Sequence, residues 1–221
     1  MNSQLENFMI SNIKNLLKDR KILKSIALSD QISIDLLKEL SKNKYTNIRM
    51  HVSKNNNISS EICLILSKDK SVQIRRNISQ NLKMPVEGLE ELSKDKDFQV
   101  RRYVAENTVC SKEILEVLST DKDIHVRWAV AGNINTPSNI LTKFFTDKDT
   151  DVRRHLAKNI NTPIVILTLL STDKEDYMIR YNVAKNLSTP IEVLIDLCDN
   201  RDVGISRAAL ETRNDRLALL K

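Results

Sequence analysis

Apolar residues recur along this chain with a period of 26 residues and fall into two short segments within each period. In the first segment they stand four apart, as Val100 and Val104 do, which is the spacing of one helix face. The second segment repeats this spacing, for example at Ile114 and Leu118. Since no stretch alternates for long as a half-buried strand would, the pattern predicts an all-α protein built from helix pairs.

The period itself predicts a solenoid, because one helix pair cannot bury its own apolar face and must stack on copies of itself. About seven copies follow one another, from a fading first copy at residues 22–29 to a degenerate one after Ile205. We therefore expect a single continuous domain over residues 22–221. Residues 1–21 carry apolar residues at helical spacing and predict a helix that caps the first repeat. A helix lying on a membrane surface is the alternative.

Two polar columns repeat with the same period. Arginine recurs at Arg49, Arg75, Arg101, Arg127, Arg153 and Arg180. Together with an aspartate of the neighbouring turn, these arginines predict a structural ladder of desolvated, bidentate ion pairs, and contact with a ligand is the alternative. Asparagine recurs at Asn55, Asn81, Asn107, Asn133, Asn159 and Asn186. Because the chain has only three glycines, we expect these asparagines to close the first helices in the left-handed conformation.

The second helices carry a start signal. Thr136, Thr162 and Thr189 each precede a proline. A threonine N-cap followed by proline at the first helical position is a favourable way to begin a helix. We therefore expect these threonine side chains to cap the second helices.

The combined pattern DxDxxVRRxVAxNxxTPxxxLxxL resembles the leucine-rich repeat variant family, whose α-solenoids are HEAT-like and armadillo-like, over residues 22–210. The resemblance implies a right-handed superhelix in which an α-helix alternates with a shorter helix, often a 3₁₀-helix. The repeat here is slightly longer than the family's usual one, which leaves room for a true α-helix in the second position. The family's founding architecture also has an N-terminal cysteine cluster for an iron–sulfur centre. That cluster is missing here, and no cofactor is expected.

One column of the first helices varies in a way that indicates a binding surface. It holds Arg76, Arg102, Trp128, Arg154, Tyr181 and Arg207. By helical angle these side chains point away from the core, so we expect them to form an exposed candidate binding ridge. Aromatic residues among arginines favour both protein and nucleic-acid interfaces, whereas a solvated charged face is the alternative. Because the second helices are mostly acidic on their outward side, a nucleic acid would be confined to the first helices.

Near the C-terminus the second helices carry apolar residues at outward positions, namely Ile164, Val165, Leu169, Ile191 and Ile195. These residues form a candidate apolar patch for a partner or a second copy of the chain, unless the helix is rotated so that they are buried. The apolar residues 217–220 predict either a packed terminal cap or an exposed edge that promotes self-association.

Composition narrows the function. Cys63, Cys110 and Cys198 lie far apart without metal-ligand spacing, which predicts reduced cysteines and no metal site. No signal peptide or membrane span is recognisable, so a cytoplasmic location is expected. No catalytic constellation departs from the repeat. We predict a non-enzymatic scaffold that binds a macromolecule, above all a protein; nucleic-acid binding through the basic ridge is the alternative, and a DNA-glycosylase-like HEAT enzyme is a remote third.

Overall fold

The described part of the computed structural model, residues 27–29 and 31–218, is helical and contains no strand. The chain divides into two compact units, one up to Val109 and one from Cys110. The first unit contains α1 (Ile34–Ser41), α2 (Thr46–Ser53), α3 (Ser60–Ser67), α4 (Val72–Ser79), α5 (Val86–Leu92) and α6 (Phe98–Glu106). The second contains α7 (Lys112–Leu118), α8 (Ile124–Gly132), α9 (Ser138–Phe144), α10 (Thr150–Lys158), α11 (Ile164–Ser171), α12 (Tyr177–Lys185), α13 (Ile191–Cys198) and α14 (Val203–Ala218).

The helices stack as repeats within each unit, with even-numbered helices as first helices and odd-numbered helices as second helices. In the first unit α2 packs on α4 and α4 on α6, while α1 packs on α3 and α3 on α5. In the second unit α8, α10, α12 and α14 follow the same succession, and α11 packs on α13. The predicted all-α solenoid class of two-helix repeats is confirmed, and each second helix is a true α-helix.

Two parts of the predicted domain organisation keep the status of predictions. The capping helix over residues 1–21 lies outside the described residues. The single continuous domain over residues 22–221 also stays a prediction.

The core is a series of thin aliphatic layers, one for each repeat. In α10 the fully buried residues are Val152, Leu156 and Ala157, and in α11 Leu167 is fully buried as well. Helices of seven to nine residues are marginal in isolation, since nucleation costs more than so few hydrogen bonds return. Their stability therefore comes from stacking the apolar stripe of each helix on its neighbours.

Carboxylate and hydroxyl side chains begin many of the helices. Asp97 and Asp176 accept a hydrogen bond from the third backbone N–H beyond them, at the start of α6 and α12. Ser59 and Ser111 do the same for the second helices α3 and α7. Each cap satisfies one of the N–H groups that have no partner within the helix.

The threonines before proline have a different role from the predicted one. Proline itself occupies the N-cap position of α9, α11 and α13, and no side chain caps these helices. The buried threonines instead donate backwards to a carbonyl of the preceding first helix: Thr136 to Val130, Thr162 to Leu156 and Thr189 to Val183. A residue before proline is held in extended backbone, which moves the helix start one residue onwards and frees the threonine hydroxyl. The predicted threonine N-caps are therefore wrong.

Candidate binding surfaces

The repeated arginines connect consecutive loops. Arg127 donates from Nε and Nη2 to the two carboxylate oxygens of Asp147, at 2.8 and 3.2 Å, and from Nη1 to the carbonyl of Asp121 at 2.9 Å. The paired side chains are only 9% and 10% exposed. The same bidentate pair joins Arg49 to Asp69 and Arg75 to Asp95. One guanidinium group thus holds its own loop and the next one together.

Each of these aspartates also shapes its own loop. The Oδ1 atom of Asp147 accepts a hydrogen bond from the backbone N–H of Asp149, at 2.9 Å. Burial raises the pKa of Asp147, but the hydrogen bonds from Arg127 and Asp149 outweigh it and hold the pKa below its usual range. Asp69, which faces Arg49, shows the same balance. The carboxylates therefore remain ionised and act as fixed joints between repeats.

Two members of the arginine column reach no carboxylate in the part of the chain that is described. Arg153 donates to the carbonyl of Asp147 at 2.7 Å and to the hydroxyl of Thr150 at 3.2 Å. Arg180 donates to the carbonyl of Asp173. Three residues separate Asp173 from the start of α12, whereas two separate Asp147 from the start of α10. The carboxylate of Asp173 accepts the N–H groups of residues 175 and 176. The insertion thus coincides with a break in the ion-pair ladder.

The repeated asparagines form a ladder of their own. Asn159 is buried and donates from Nδ2 to the carbonyls of Ala131 and Asn133, at 2.8 and 2.9 Å, while its Oδ1 accepts from the N–H of Asn161. Asn55, Asn107 and Asn186 make the corresponding bonds to carbonyls of the repeat before them.

The conformation of these asparagines differs from the predicted one. No residue of the described chain has a positive φ, and Asn159 has φ −70° and ψ 123°. The left-handed conformation predicted for the asparagines is therefore wrong. The side-chain amide caps the carbonyls at the end of the preceding first helix, and extended backbone aims it there.

In the first unit, the candidate binding ridge lies across neighbouring helices. Arg76 of α4 donates from Nε and Nη2 to both oxygens of Asp97, the N-cap of α6, at 3.0 and 2.7 Å. Arg102 lies 3.3 Å from Glu106, and its guanidinium carbon is 4.6 Å from the ring centroid of Tyr103. The pair with Arg76 holds the pKa of Asp97 below its usual range.

In the second unit, the ridge side chains also contact the neighbouring first helix. Trp128 of α8 stacks on His155 of α10, with ring centroids 4.6 Å apart. Arg154 of α10 donates from Nε and Nη2 to Asp176, the N-cap of α12, at 3.1 and 2.5 Å. A third bond joins Arg154 to Asp151 at 2.7 Å. These ridge side chains therefore span from one first helix to the next.

The predicted exposure of the ridge is wrong for five of its six residues. Tyr181 stacks on Tyr177 at 5.8 Å and is half-buried, as are Arg76, Arg102, Trp128 and Arg154, and only Arg207 is exposed. The inference of exposure from the helical angle holds for an isolated helix. However, the first helices pack side by side, so a side chain at this angle lies over the neighbouring helix.

The apolar patch predicted near the C-terminus lies at the surface. Val165 is 69% exposed and Ile164 is 60% exposed on α11, and Leu169 and Ile195 are exposed as well. Ile191 is half-buried. Leu217 is exposed, whereas residues 219–221 lie outside the described chain.

The cysteines are separate thiols. Burial raises the pKa of Cys63 to about 11 and that of Cys110 to about 12, so both remain protonated, and Cys198 is half-buried. Among the described residues, no group of three His, Cys, Asp or Glu side chains could hold a metal ion. No described helix is both long and apolar enough to cross a membrane.

A row of exposed lysines was not among the predicted site residues. Lys44, Lys70, Lys96, Lys122, Lys148 and Lys174 stand 26 residues apart in the loops that lead into the first helices. Their recurrence is visible in the sequence, but a charged loop residue that repeats is easily taken for a solubilising one.

Comparison with known proteins extends to the fold alone. No protein-family model and no curated protein matches the sequence. The structure is similar to a solved structure described as a leucine-rich repeat variant with a novel repetitive protein structural motif. The two are 24% identical, with a TM-score of 0.59, over 81% of this chain and 71% of that one. An engineered protein is 15% identical with a TM-score of 0.46, over 89% of this chain and 73% of that one. The resemblance indicated by the repeat motif is thus confirmed at the level of the fold.

Proposed function

We propose that this chain is a repeat scaffold that binds another protein through an apolar surface on its second unit. The surface consists of Ile164, Val165 and Leu169 on α11 and Ile195 on the adjacent α13. The observation that carries the proposal is the exposure of these four large apolar side chains on two helices that pack together. Contiguous exposed apolar patches are uncommon on monomeric proteins and mark interaction sites.

The repeat itself does not require apolar residues at these positions. In α5 the positions that correspond to Val165 and Leu169 hold Glu87 and Glu91, and both carboxylates are exposed. A charged side chain is therefore compatible with this part of the fold. The apolar side chains of α11 cost solubility without contributing to the core, which favours a role outside the repeat.

The chemistry of the surface favours an amphipathic helix as the binding partner. The apolar side chains lie on two neighbouring helices, whose shallow groove suits apolar anchors spaced along one helix face. Glu192 and Asp196 are exposed on α13 beside this surface. We expect basic residues on the side of the partner helix that faces these two carboxylates.

The predicted ridge contributes less to this proposal than the apolar surface. Its arginines Arg76 and Arg154 already bind carboxylates of the same chain, so a partner would have to compete with intramolecular ion pairs. A non-catalytic role and a cytoplasmic location, both predicted from the sequence, remain part of the proposal.

The test replaces the apolar side chains by the glutamates that α5 carries. The double variant Val165→Glu/Leu169→Glu and the parent chain are each used to capture proteins from the source cell. Val117→Glu on α7 is the matched control, because Val117 is also an exposed apolar residue, at the position that corresponds to Leu169. A protein retained by the parent and the control, but lost with the double variant, is then purified and titrated calorimetrically.

Direct binding with a negative heat-capacity change would support the proposal, since burial of apolar surface has that signature. Light scattering decides whether the partner is a second copy of this chain, which would appear as a doubled mass that the double variant abolishes. Retention of every partner by the double variant, with unchanged mass, would overturn the proposal.

A further inference from the structure

The whole net positive charge of the protein belongs to the first unit. Residues 1–109 contain 19 Lys and Arg against 13 Asp and Glu, whereas residues 110–221 contain 16 of each. Both units use the same repeat, so this difference is not a requirement of the fold. It indicates that the first unit faces an anionic partner.

Residues 1–26, which lie outside the described residues, contribute three of these six net charges. The three loops that lead from a second helix to the next first helix contribute the same number. Each of the three loops in the first unit carries a Lys–x–Lys sequence, and all six lysines, Lys42, Lys44, Lys68, Lys70, Lys94 and Lys96, are exposed. We call these six residues the lysine edge. The corresponding loops of the second unit carry a single basic residue beside one or more carboxylates, as in Asp121–Lys122–Asp123.

The carboxylates within the lysine edge are already neutralised by arginines. Asp69 pairs with Arg49 and Asp95 with Arg75. Asp97 pairs with Arg76 in the same way. The ammonium groups therefore dominate the field at this edge.

Four of the six lysine-edge residues, Lys42 among them, make no ion pair in the described part of the chain. Lys68 lies 3.6 Å from Glu91 and Lys94 lies 3.2 Å from Glu90, but both pairs are exposed and such pairs contribute little. No ion pair within the described residues involves Lys44, Lys70 or Lys96. These three side chains keep their charge for an external partner.

Two grooves separate the three loops. The first has a volume of about 670 Å³ and is lined by Lys42, Lys44, Lys68 and Lys70, with Arg49 among its other lining residues. The second has a volume of about 660 Å³ and is lined by Lys68, Lys70 and Lys96, with Arg75 and the carboxylate of Glu91 among its other lining residues. Lys68 and Lys70 line both grooves, so a ligand that follows the edge meets ammonium groups at every repeat.

The helix starts at this edge add to the positive field. Asp97, Asp123, Asp149 and Asp176 each place a carboxylate at the start of their first helix, whereas α2 and α4 follow Tyr45 and Ser71, neither of which forms a side-chain cap. The N-terminal end of a helix carries a partial positive charge, and no N-cap carboxylate offsets it in α2 and α4, although Asp69 accepts the backbone N–H of Ser71 at 2.8 Å. Each of these two helices begins two residues after the second lysine of a Lys–x–Lys sequence of the lysine edge.

We propose that the lysine edge binds the phosphate backbone of double-stranded nucleic acid without reading its sequence. Lysine binds phosphate as a point charge, and the arginines that could read base edges are tied to aspartates. The six lysine-edge side chains are all cationic, and the exposed apolar side chains of the described first unit, Leu28, Ile34, Leu82, Val86 and Val109, belong to other segments. Tyr45, beside the edge, is half-buried, and the ammonium group of Lys44 lies over its ring at 5.0 Å from the centroid. The edge therefore offers neither an exposed stacking platform for single strands nor an apolar anchor for a bilayer.

An acidic protein segment fits the edge less well than a duplex does. Peptides dock through main-chain hydrogen bonds and pockets for side chains, whereas this edge presents charges spaced by one repeat. Stacked helices lie about 8–10 Å apart, so the three loops extend over roughly 20 Å, along which a duplex presents phosphates continuously.

The experiment measures fluorescence anisotropy of a labelled 20-base-pair duplex of mixed sequence, as DNA and as RNA, at 50 and 200 mM NaCl. The variant Lys44→Gln/Lys70→Gln/Lys96→Gln removes three charges from the lysine edge. The matched control, Lys122→Gln/Lys148→Gln/Lys174→Gln, removes three equally exposed charges from the same repeat position in the second unit. Circular dichroism verifies that both variants are folded.

We expect the parent to bind duplex with an affinity that falls at least tenfold between the two salt concentrations, since bound phosphates release counterions. The lysine-edge variant should lose at least tenfold in affinity at 50 mM NaCl, and its salt dependence should weaken by about one phosphate contact for each lysine removed. The control should change affinity less than twofold. Similar affinities for the DNA duplex and the RNA duplex would support recognition of the phosphate backbone.

Three outcomes would overturn the proposal. The first is the absence of duplex binding at 50 mM NaCl. The second is an equal loss of affinity in both triple variants. The third is preferential binding of a polyglutamate peptide, a single strand or phosphatidylserine vesicles, offered in place of the duplex at the same concentration.

Discussion

The side chain of Asn159 donates a hydrogen bond to the backbone carbonyl of Asn133, 2.9 Å away, and Asn133 holds the same position one repeat earlier. A second bond from the same amide reaches the carbonyl of Ala131 at 2.8 Å. Carbonyls at the end of the first helix of one repeat thus accept hydrogen bonds from the asparagine of the next repeat. This relationship fixes how far one repeat is displaced from the other.

Replacement of Asn159 by alanine should therefore be costly. Two buried carbonyls lose their donor, and we expect the free energy of unfolding to fall by about 2–4 kcal/mol. Asn139→Ala is the control, because Asn139 is exposed on α9 and its removal should change stability by less than about 0.5 kcal/mol. Urea denaturation followed by circular dichroism measures both. Similar small effects in the two variants would contradict the structural role of the asparagines.

The arginine column allows a comparison between two members that differ in their partners. Arg127→Ala leaves the largely buried carboxylate of Asp147 without its cation, which should cost about 3 kcal/mol of unfolding free energy. Arg153→Ala removes hydrogen bonds to a carbonyl and a hydroxyl, and should cost about 1 kcal/mol. Denaturation of both variants in the same buffer tests the difference. If Arg153→Ala lowers the free energy of unfolding as much as Arg127→Ala does, the stabilisation by these arginines does not come from the ion pair.

Acid should weaken the ion pair between Arg154 and Asp176, the N-cap of α12. Hydrogen bonds from Arg154 hold the pKa of Asp176 below its usual range. The pair therefore contributes stability above the pKa of an unfolded aspartate, about 3.9, and loses it as pH falls through the lower folded pKa. The stability difference between the parent and Asp176→Asn should be constant above about pH 5 and shrink below about pH 4.

Thermal unfolding of the two proteins between pH 3 and pH 7 measures this difference. Asp196→Asn is the control, since Asp196 is exposed on α13. The absence of any stability difference at pH 7 would show that Asp176 acts only as a helix cap, which asparagine can replace.

The single tryptophan reports on its stacked histidine. Burial lowers the pKa of His155 below its ordinary value, and a hydrogen bond to the carbonyl of Asp151 opposes this only in part. Because a protonated imidazole quenches indole, Trp128 fluorescence should fall in a transition with its midpoint below pH 6.5. The unfolded chain protonates first, so stability should also fall as pH decreases from about 6.5.

His155→Gln should abolish this fluorescence transition. His125 lies edge-on to Trp128 at 5.8 Å, and His125→Gln should leave the transition in place. If only the His125→Gln variant loses the transition, the quenching group is His125 and the prediction for His155 is wrong.

The repeat was predictable because apolar and polar columns return at a fixed spacing, and each column reflects one stacking contact. Val152, Leu156 and Ile166 are buried as their positions predict. The sequence could not show how a polar column is used. Asn159 could equally close a helix or cap its neighbour, and only the displacement between repeats decides which carbonyls it reaches.

The surfaces were less predictable than the core for the same reason. Trp128 and Arg154 point away from the core of their own helix, but the adjacent first helix covers them in part, and a helical angle contains no information about that neighbour. Val165 and Leu169 were placed correctly at the surface, because the position is outward in every second helix. The proposed role of Lys44, Lys70 and Lys96 depends on the neutralisation of Asp69 and Asp95 by arginines, which the sequence alone does not show.

The residue inserted between Asp173 and α12 shows where this chain tolerates a change in length. Asn186 reaches back 27 residues to the carbonyl of Asn159 at 2.9 Å, the same distance that Asn159 spans over 26. The extra residue is absorbed in the turn, and Arg153 and Arg180 on either side of it form no ion pair among the described residues. These turns are therefore suitable points for grafting foreign peptides, with the asparagines keeping the repeats in step on either side of the graft.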